Sequence, residues 1–157
     1  MSADHLTDRL REARSAEDLD PLIAKIPYAR FLGLSAELDG EELRVRMPFA
    51  ERLIGDSSVP ALHGGSVGAL LESTAIFTVL RSTETDELPK TVTLTVDYLR
   101  SGRAEATWAR ARVTKRGRRI VIVHAEAWQG DVDKPIATAN VHFLLKSVEP
   151  AAPPTST

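Results

Sequence analysis

The order of apolar and polar positions divides the chain into a helical part and a part that forms strands. Residues 64–80 (GGSVGALLESTAIFTVL) form one long apolar run, whose length and composition favour a buried helix over a strand. From residue 91 onward apolar and polar positions alternate, as in TVTLTVDYL (91–99), which is typical of β-strands. The same period continues in segments 104–113, 119–129 and 136–146. The pattern therefore predicts one long helix followed by four antiparallel strands.

The chain before this helix predicts a hairpin and a loop. The Asp39-Gly40 pair between two short alternating segments is a strong hairpin signal, and residues 51–62 are rich in turn-forming residues and predict a loop. We expect three regions along the chain. They are an N-terminal helical segment (1–25), a folded domain (26–147) and a disordered proline-rich tail (148–157).

An antiparallel sheet with one apolar face needs another element to cover that face. The long helix of residues 64–80 is the element apolar enough to do so. A sheet curled around one central helix is the hotdog arrangement. The predicted fold class is therefore α+β, with a hotdog fold.

Composition and charge narrow the classes of function. The formal net charge of -2 gives no global attraction for nucleic acid or for an anionic membrane surface. The chain has no cysteine, which excludes disulfides, thiolate nucleophiles and cysteine-ligated metals. The charged N-terminus lacks the apolar core of a signal peptide. We expect a cytoplasmic protein without a metal site and without a nucleic-acid or membrane partner.

The first candidate site is the triplet His63-Gly64-Gly65, where the long helix begins. The two glycines allow another molecule to approach the backbone closely. The first amides of a helix have no intrahelical partner and carry partial positive charge, so they would polarise a thioester carbonyl and stabilise an oxyanion. The alternative is a tight loop-to-helix junction in which His63 is a structural cap.

The second candidate is Glu72, the only charged residue between Gly65 and Leu80. Burial of a lone carboxylate is expensive, so it must be paired, protonated or exposed in a cleft. Its neighbours on the helix face are mostly small and leave room for a ligand or a partner helix. The alternative is a carboxylate bonded to Ser73 or Thr74, or a chance exposed position.

The distance between the two candidates bears on assembly. Gly64 and Glu72 are eight residues apart, which is about 12 Å along a helix axis. A carboxylate that attacks a carbonyl, or activates water for it, must lie within roughly 3–3.5 Å. If both residues serve one site, they must come from different chains. Two such helices packed antiparallel about a twofold axis would make two sites per dimer.

The motif resembles that of the PaaI-like hotdog thioesterases, in which an HGG triplet is followed by an acid. Here Glu72 follows His63 by nine residues, and the resemblance spans about Ile26 to Leu145. It implies hydrolysis of an acyl-CoA thioester. By this resemblance the Gly64 amide would hold the thioester oxygen, and Glu72 would be the nucleophile or the general base. His63 would orient the loop, and Thr91 would help to place water.

One position departs from the family pattern. Relatives often carry Asn or Gln six or seven residues before the motif histidine, where this chain has Asp56-Ser57. We expect Asp56 and Ser57 to position water or substrate. A second hypothesis is that the carboxylate of Asp56 raises the pKa of Glu72.

Coenzyme A carries phosphate groups, for which arginine side chains are well suited. Two basic groups are candidates, although charged hairpin turns are usually only solvated. They are Arg100 and Arg103 after the first long strand, and Lys115, Arg116, Arg118 and Arg119 around Gly117.

The leading hypothesis is hydrolysis of an aryl-, phenylacyl- or medium-chain acyl-CoA, with no cofactor beyond the coenzyme A of the substrate. One alternative is a hotdog acyl-CoA hydratase or dehydratase, and another is a non-catalytic acyl-CoA-binding protein. The expected partner is a second copy of the chain. Trp108 and Trp128 fall on the polar side of their strands, which favours a dimer of dimers.

Overall fold

The computed structural model describes residues 19–82 and 88–145. Most of the predicted N-terminal helical segment and the whole proline-rich tail lie outside these residues. Two short helices open the described part, α1 (Asp20–Ile23) and α2 (Pro27–Leu32). Both begin with proline in the first turn, where its missing N–H costs no hydrogen bond.

Eight strands follow within the described residues, two before residue 50, two just ahead of the central helix and four after it. They are β1 (Ser35–Asp39), β2 (Glu42–Met47), β3 (Ile54–Asp56), β4 (Val59–Leu62), β5 (Lys90–Tyr98), β6 (Thr107–Arg116), β7 (Ile120–Trp128) and β8 (Ala137–Leu144). Six of them form one antiparallel sheet in the order β1-β2-β6-β7-β8-β5. The predicted hairpin and the four predicted strands are confirmed.

The long helix α3 (Gly64–Ser82) packs against the apolar face of this sheet. Its Leu70, Leu71 and Phe77 are buried, and they share the core with sheet residues such as Val123 and Phe143. The sheet therefore wraps around one central helix. The predicted α+β hotdog fold is confirmed, and so is the helix expected from residue 64. No helix within residues 19–82 and 88–145 is long and apolar enough to cross a bilayer.

The segment before α3 is more ordered than a loop. A 3-10 turn (Glu51–Leu53) leads into a small hairpin in which β3 pairs with β4. The pairing is irregular, because Asp56 lies opposite both Val59 and Ala61. The prediction of a loop was wrong here. The segment is rich in turn-forming residues, but it contains two short strands that pair with each other.

Strand β5 lies at one edge of the sheet and pairs only with β8. A bulge interrupts this pairing, because Thr91 is opposite Phe143 whereas Thr93 is opposite His142. Paired residues share a face of the sheet, so Thr91 lies on the same face as the buried Phe143. Strict alternation would have placed Thr91 on the outer face with Thr93. The bulge therefore turns Thr91 to the helix side.

The outer face of the sheet is covered in part by arginines of the same chain. Arg44 and Arg110 lie over the ring of Trp128, at 5.8 Å and 5.7 Å from its centroid. Arg46 lies over Trp108 at 5.9 Å. Trp128 is only 5% exposed as a result. These arginines of the same chain already cover the two tryptophan rings that were expected to contact a second dimer. The dimer of dimers stays a prediction.

Candidate active site

The start of α3 is organised by hydrogen bonds within the His63-Gly64-Gly65 turn. The N–H of Gly65 donates to His63 Nδ1 at 2.8 Å. The carbonyl of His63 accepts from the backbone N–H of Ser66 at 2.9 Å and from Ser66 Oγ at 2.7 Å. The N–H of Gly64 donates no hydrogen bond to any residue of the described chain. The turn thus leaves one amide free at the positive end of a helix dipole.

Neighbouring segments tie this turn to the rest of the fold. The N–H of His63 donates to the carbonyl of Leu53, and the N–H of Leu62 donates to the carbonyl of Gly102, both at 2.8 Å. The first bond joins the turn to the residue that precedes the β3–β4 hairpin, and the second joins it to the loop after β5. The direction in which α3 begins is therefore fixed from both sides.

Gln129 holds the second of these loops. Its side chain is nearly buried, accepts from the N–H of Arg103 and donates to the carbonyl of Arg103 and to Thr107 Oγ1, each at 2.9 Å. A buried amide with its bonding capacity used in this way is a rigid support. The sequence reasoning missed Gln129, because its partners lie more than twenty residues away in the chain.

Tyr98 is a second residue that the sequence reasoning missed. It ends strand β5, and its hydroxyl donates to the carbonyl of Gly64 at 2.7 Å. A Cβ added to Gly64 would lie 3.1 Å from Tyr98 Cζ. The only signal in the sequence was its position in the alternating pattern of β5, which placed it on the helix side.

An open cleft of about 410 Å³ lies beside the free amide of Gly64. Apolar side chains of Leu62, Val67 and Ile136 line it, together with the ring of Tyr98. A volume of a few hundred Å³ suits a small-molecule ligand. The cleft could receive an acyl thioester with its carbonyl at the helix start.

Glu72 lies two turns further along α3 and is half-buried. Its carboxylate forms no hydrogen bond or ion pair with the described residues. The alternative in which a neighbouring hydroxyl binds it is not observed, since Thr74 Oγ1 donates to the carbonyl of Leu70 instead. Both Gly64 and Glu72 are on the same helix, about 12 Å apart along its axis. One chain does not bring them together.

Asp56 caps the turn between β3 and β4. Its Oδ1 accepts from Ser58 Oγ at 2.7 Å and from the N–H of Ser58 at 2.8 Å, and these bonds hold the pKa of the carboxyl below its usual value. Ser57 is exposed in the same turn. The expected role of Asp56 and Ser57 in positioning water, and the effect of Asp56 on Glu72, stay predictions.

We expect Ser58→Ala to raise the pKa of the Asp56 carboxyl, because the largest cause of its lowering is the Ser58 hydroxyl. The return should be partial, since the backbone N–H of residue 58 remains. A ¹³C NMR titration of the Asp56 carboxyl measures this, with Ser57→Ala as the control. Because the folded pKa is lowered, the stabilisation by Asp56 is present above the unfolded pKa and is lost as pH falls. An identical titration in Ser58→Ala and in the wild type would contradict this account.

Thr91 is exposed on the helix side of β5, as described above, and lies at the opposite end of that strand from Tyr98. The strand rises about 3.4 Å per residue, so the Cα atoms of Thr91 and Tyr98 are roughly 20 Å apart, and it is Tyr98 that is bonded to the Gly64 turn. Thr91 and Gly64 of one chain therefore do not meet. If Thr91 takes part in the site, it does so from the same side as Glu72.

The basic candidates form two separate groups. Arg100 lines the cleft beside Gly64, and its Nη1 donates to the carbonyl of Pro135 at 2.6 Å. Arg103 is paired with Glu105 at 2.8 Å but remains 73% exposed. The other group lies at the far end of α3. It comprises Lys115, Arg116, Arg118 and Arg119, all of them exposed.

Arg116 fixes the position of the second group, because its Nη2 donates to Ser82 Oγ at 3.0 Å, where α3 ends. The 19 residues from Gly64 to Ser82 span about 27 Å along the helix. The two basic groups are therefore not brought together around the Gly64 cleft of one chain.

Comparison with known proteins gives a consistent result. The family model of the thioesterase superfamily matches residues 60–136, which include the Gly64 turn, α3 and strands β5 to β7. A medium/long-chain acyl-CoA thioesterase, YigI of Escherichia coli K12, is 28% identical over an alignment of 135 residues, and the match covers 76% of this chain and 86% of YigI.

Solved structures extend the similarity to most of the chain. A protein from Chromobacterium violaceum is 37% identical, with a TM-score of 0.74, over 90% of this chain and 99% of that one. A phenylacetic acid degradation-related protein from Ralstonia eutropha JMP134 is 24% identical and shares the fold, with a TM-score of 0.68 over 80% and 98% of the two chains.

The resemblance seen in the HGG triplet and the acid after it is thereby confirmed. The similarity covers the helix, the sheet and the turn that carries the free amide. The chain belongs to the thioesterase superfamily and is a thioester hydrolase.

Proposed function

We propose that the protein hydrolyses acyl-CoA thioesters at two sites that form when two copies of the chain pair. One observation carries this proposal. An amide at a cleft and a carboxylate, neither of which bonds to another residue within 19–82 and 88–145, lie on one helix, too far apart to act on the same carbonyl. A second copy with its α3 antiparallel would supply Glu72 to the Gly64 cleft of the first.

The edge strand β5 is the surface we propose for pairing. It is nine residues long, and its outer side has no partner strand in the described chain. A long open edge with exposed apolar residues is a template for another strand. Val92 is 60% exposed and Tyr98 is 56% exposed. The other edge, β1, is only five residues long and carries acidic side chains.

Charge and neighbouring surface support the same arrangement. Lys90 and Asp97 are near opposite ends of β5, so antiparallel pairing of two copies would set unlike charges opposite each other. The solvent side of α3 continues this surface, because Gly68 lies against Tyr98 and Val96. A partner helix can approach α3 closely there, since Gly65 and Ala69 are small.

The proposed reaction follows from the two groups. The Gly64 N–H donates to the thioester oxygen and stabilises the oxyanion that forms on attack. Glu72 of the partner subunit either attacks the carbonyl carbon or removes a proton from the water that attacks it. In both cases the C–S bond then breaks, and coenzyme A leaves as a thiolate that takes up a proton. If water attacked, the free acid is formed in this step; if Glu72 attacked, the mixed anhydride left on its carboxylate is hydrolysed by water to the free acid and Glu72. Thr91 of the partner subunit would help to place the water.

We propose a medium-chain acyl-CoA as the first substrate to test. The relative YigI is a medium/long-chain acyl-CoA thioesterase, and the cleft beside Gly64 is lined in part by the apolar side chains of Leu62, Val67 and Ile136. Arg100 lines this cleft, and Arg103 directly follows the lining residue Gly102. Both would meet the phosphates of coenzyme A. The Lys115–Arg119 group would approach the same site only from the partner subunit.

The hydratase alternative is disfavoured by the hydrogen bond that the His63 side chain accepts. A hydratase needs a histidine that moves protons on the acyl chain, whereas Nδ1 of His63 already accepts from the Gly65 N–H. His63 therefore serves the turn. Release of a free thiol from acyl-CoA, compared with the ultraviolet change of an enoyl-CoA, distinguishes the two reactions.

Mixing two inactive variants tests the shared site. Glu72→Gln removes the carboxylate, and Gly64→Pro removes the N–H at the first residue of α3, where proline is compatible with a helix. Each variant should be inactive alone. In a mixed dimer one site keeps Gly64 of the first variant and Glu72 of the second, while the other site has lost both. Random exchange makes half of the dimers mixed, so about a quarter of the wild-type turnover should return.

The measurement is release of free coenzyme A after the two variants are unfolded and refolded together. The control is a mixture of each inactive variant with buffer, treated in the same way. If no activity returns although mixed dimers are present by native mass spectrometry, the two residues do not act across subunits.

A further inference from the structure

The direction of the Gly64 N–H is set by the peptide unit between His63 and Gly64. The carbonyl of this unit accepts from Ser66 Oγ at 2.7 Å, from the Ser66 N–H at 2.9 Å and from the Val67 N–H at 3.4 Å. A peptide unit is planar, so fixing its carbonyl also fixes its N–H on the opposite side. Ser66 is thus bonded to the same unit that carries the free amide.

The next peptide unit, between Gly64 and Gly65, is held at both ends. Its carbonyl accepts from the Tyr98 hydroxyl at 2.7 Å, and its N–H donates to His63 Nδ1 at 2.8 Å. Gly64 lies between the two units and has no side chain to restrict its backbone. Its conformation therefore depends on the bonds to the units on either side.

The hydroxyl of Ser66 also acts electrostatically. A donor on a carbonyl polarises the whole peptide unit and makes the N–H of that unit a stronger donor. Two donors from Ser66 and one from Val67 converge on the carbonyl of His63. The Gly64 N–H is therefore both aimed and strengthened by them.

The bond from Tyr98 is not explained by core packing. Tyr98 is 56% exposed, yet its hydroxyl points back to the Gly64 carbonyl. That carbonyl is in the first turn of α3 and has a helical partner of its own, so the helix does not require Tyr98. The bond links the end of β5 to the turn.

We propose that Ser66 Oγ and the Tyr98 hydroxyl, the hydroxyl pair, are positioning groups that hold the Gly64 N–H towards the thioester oxygen. This inference rests on the proposed role of Gly64. The hydroxyl pair does not touch the substrate oxygen. It acts through the two peptide units on either side of the Gly64 Cα.

Ser66→Ala and Tyr98→Phe each remove one hydroxyl and little else. We expect each to lower kcat roughly 5- to 20-fold while KM stays within about twofold, because the oxyanion is stabilised in the transition state more than the substrate is in the ground state. Ser66→Thr keeps a hydroxyl and should retain most of the activity. This conservative variant separates the bond from any packing defect of Ser66→Ala.

The chain offers matched controls for both changes. Thr78 is on the same helix and also donates its hydroxyl to a backbone carbonyl, that of Thr74 at 2.9 Å, but it lies nearer the other end of α3. Tyr28 is 55% exposed, like Tyr98, and does not line the Gly64 cleft. Thr78→Val and Tyr28→Phe should leave kcat unchanged.

A spectroscopic measurement reports the strength of the hydrogen bond from the Gly64 N–H to a bound carbonyl, without turnover. The probe is a ketone analogue of a medium-chain acyl-CoA, in which a methylene separates the sulfur from a ¹³C-labelled carbonyl. In the wild-type dimer its infrared carbonyl band should lie at lower frequency than in water. The band should move back towards the water value in Ser66→Ala and in Tyr98→Phe, but not in the two controls.

The outcomes separate the two claims. If kcat and the bound carbonyl band are the same in the wild type and in both variants, the hydroxyl pair has no positioning role and the proposed function stands. If the band of the wild-type complex is not displaced at all, Gly64 does not hold the carbonyl, and the proposed function fails together with this inference.

Discussion

Glu72→Gln is expected to lower kcat roughly 10³-fold for acyl-CoA hydrolysis, which is the size of effect produced by loss of a general base or nucleophile. The glutamine has nearly the same shape but no charge and no basic oxygen. Because Glu72 forms no bond with other described residues, its replacement removes no interaction that holds the subunit together. Folding and subunit pairing should therefore be unchanged.

Free coenzyme A measured with a thiol reagent gives the rate, and light scattering gives the mass of the variant. Glu37→Gln is a suitable control, since Glu37 is an exposed carboxylate on β1, the strand at the opposite edge of the sheet. Turnover of Glu72→Gln within about twofold of the wild type would remove Glu72 from the mechanism.

Val92→Asp should separate the subunits and reduce turnover roughly 10²-fold or more. Val92 is 60% exposed in one chain, so the aspartate costs little there. Between two paired copies of β5 the same carboxylate would be desolvated without a compensating partner, which is strongly unfavourable. Since one chain alone does not bring Gly64 near Glu72, the separated subunit should fold and yet be inactive.

Size-exclusion chromatography with light scattering measures the mass, and thermal unfolding tests whether the subunit remains folded. The matched control is Ile120→Asp, because Ile120 is 40% exposed at the start of β7, away from the open edge of β5. A Val92→Asp protein that is monomeric and fully active would contradict the shared site. One that remains a dimer would place the interface elsewhere.

The fold was predictable where the sequence pattern is long and regular. The apolar run that begins at Gly64 has one charge in seventeen residues, and this excluded a surface helix. The period of two from Thr91 onward predicted β5 to β8. Short elements were less predictable, because β3 and β4 have three and four residues and pair irregularly.

The candidate site was predictable only where it is local. The helix start at Gly64 and the spacing to Glu72 depend on residues close together in the sequence. Tyr98 and Gln129 reach the site across 34 and more than 20 residues, through the curvature of the sheet. The side of β5 on which Thr91 lies depends on one bulge, which strict alternation does not reveal.

The close approach of Gly64 to Tyr98 has an evolutionary consequence. A methyl group on Gly64 would lie 3.1–3.3 Å from three atoms of the phenol, so alanine fits only if the ring withdraws by a few tenths of an ångström. Relatives with alanine at this position should therefore carry a smaller side chain in place of Tyr98. The two positions, far apart in sequence, are expected to covary.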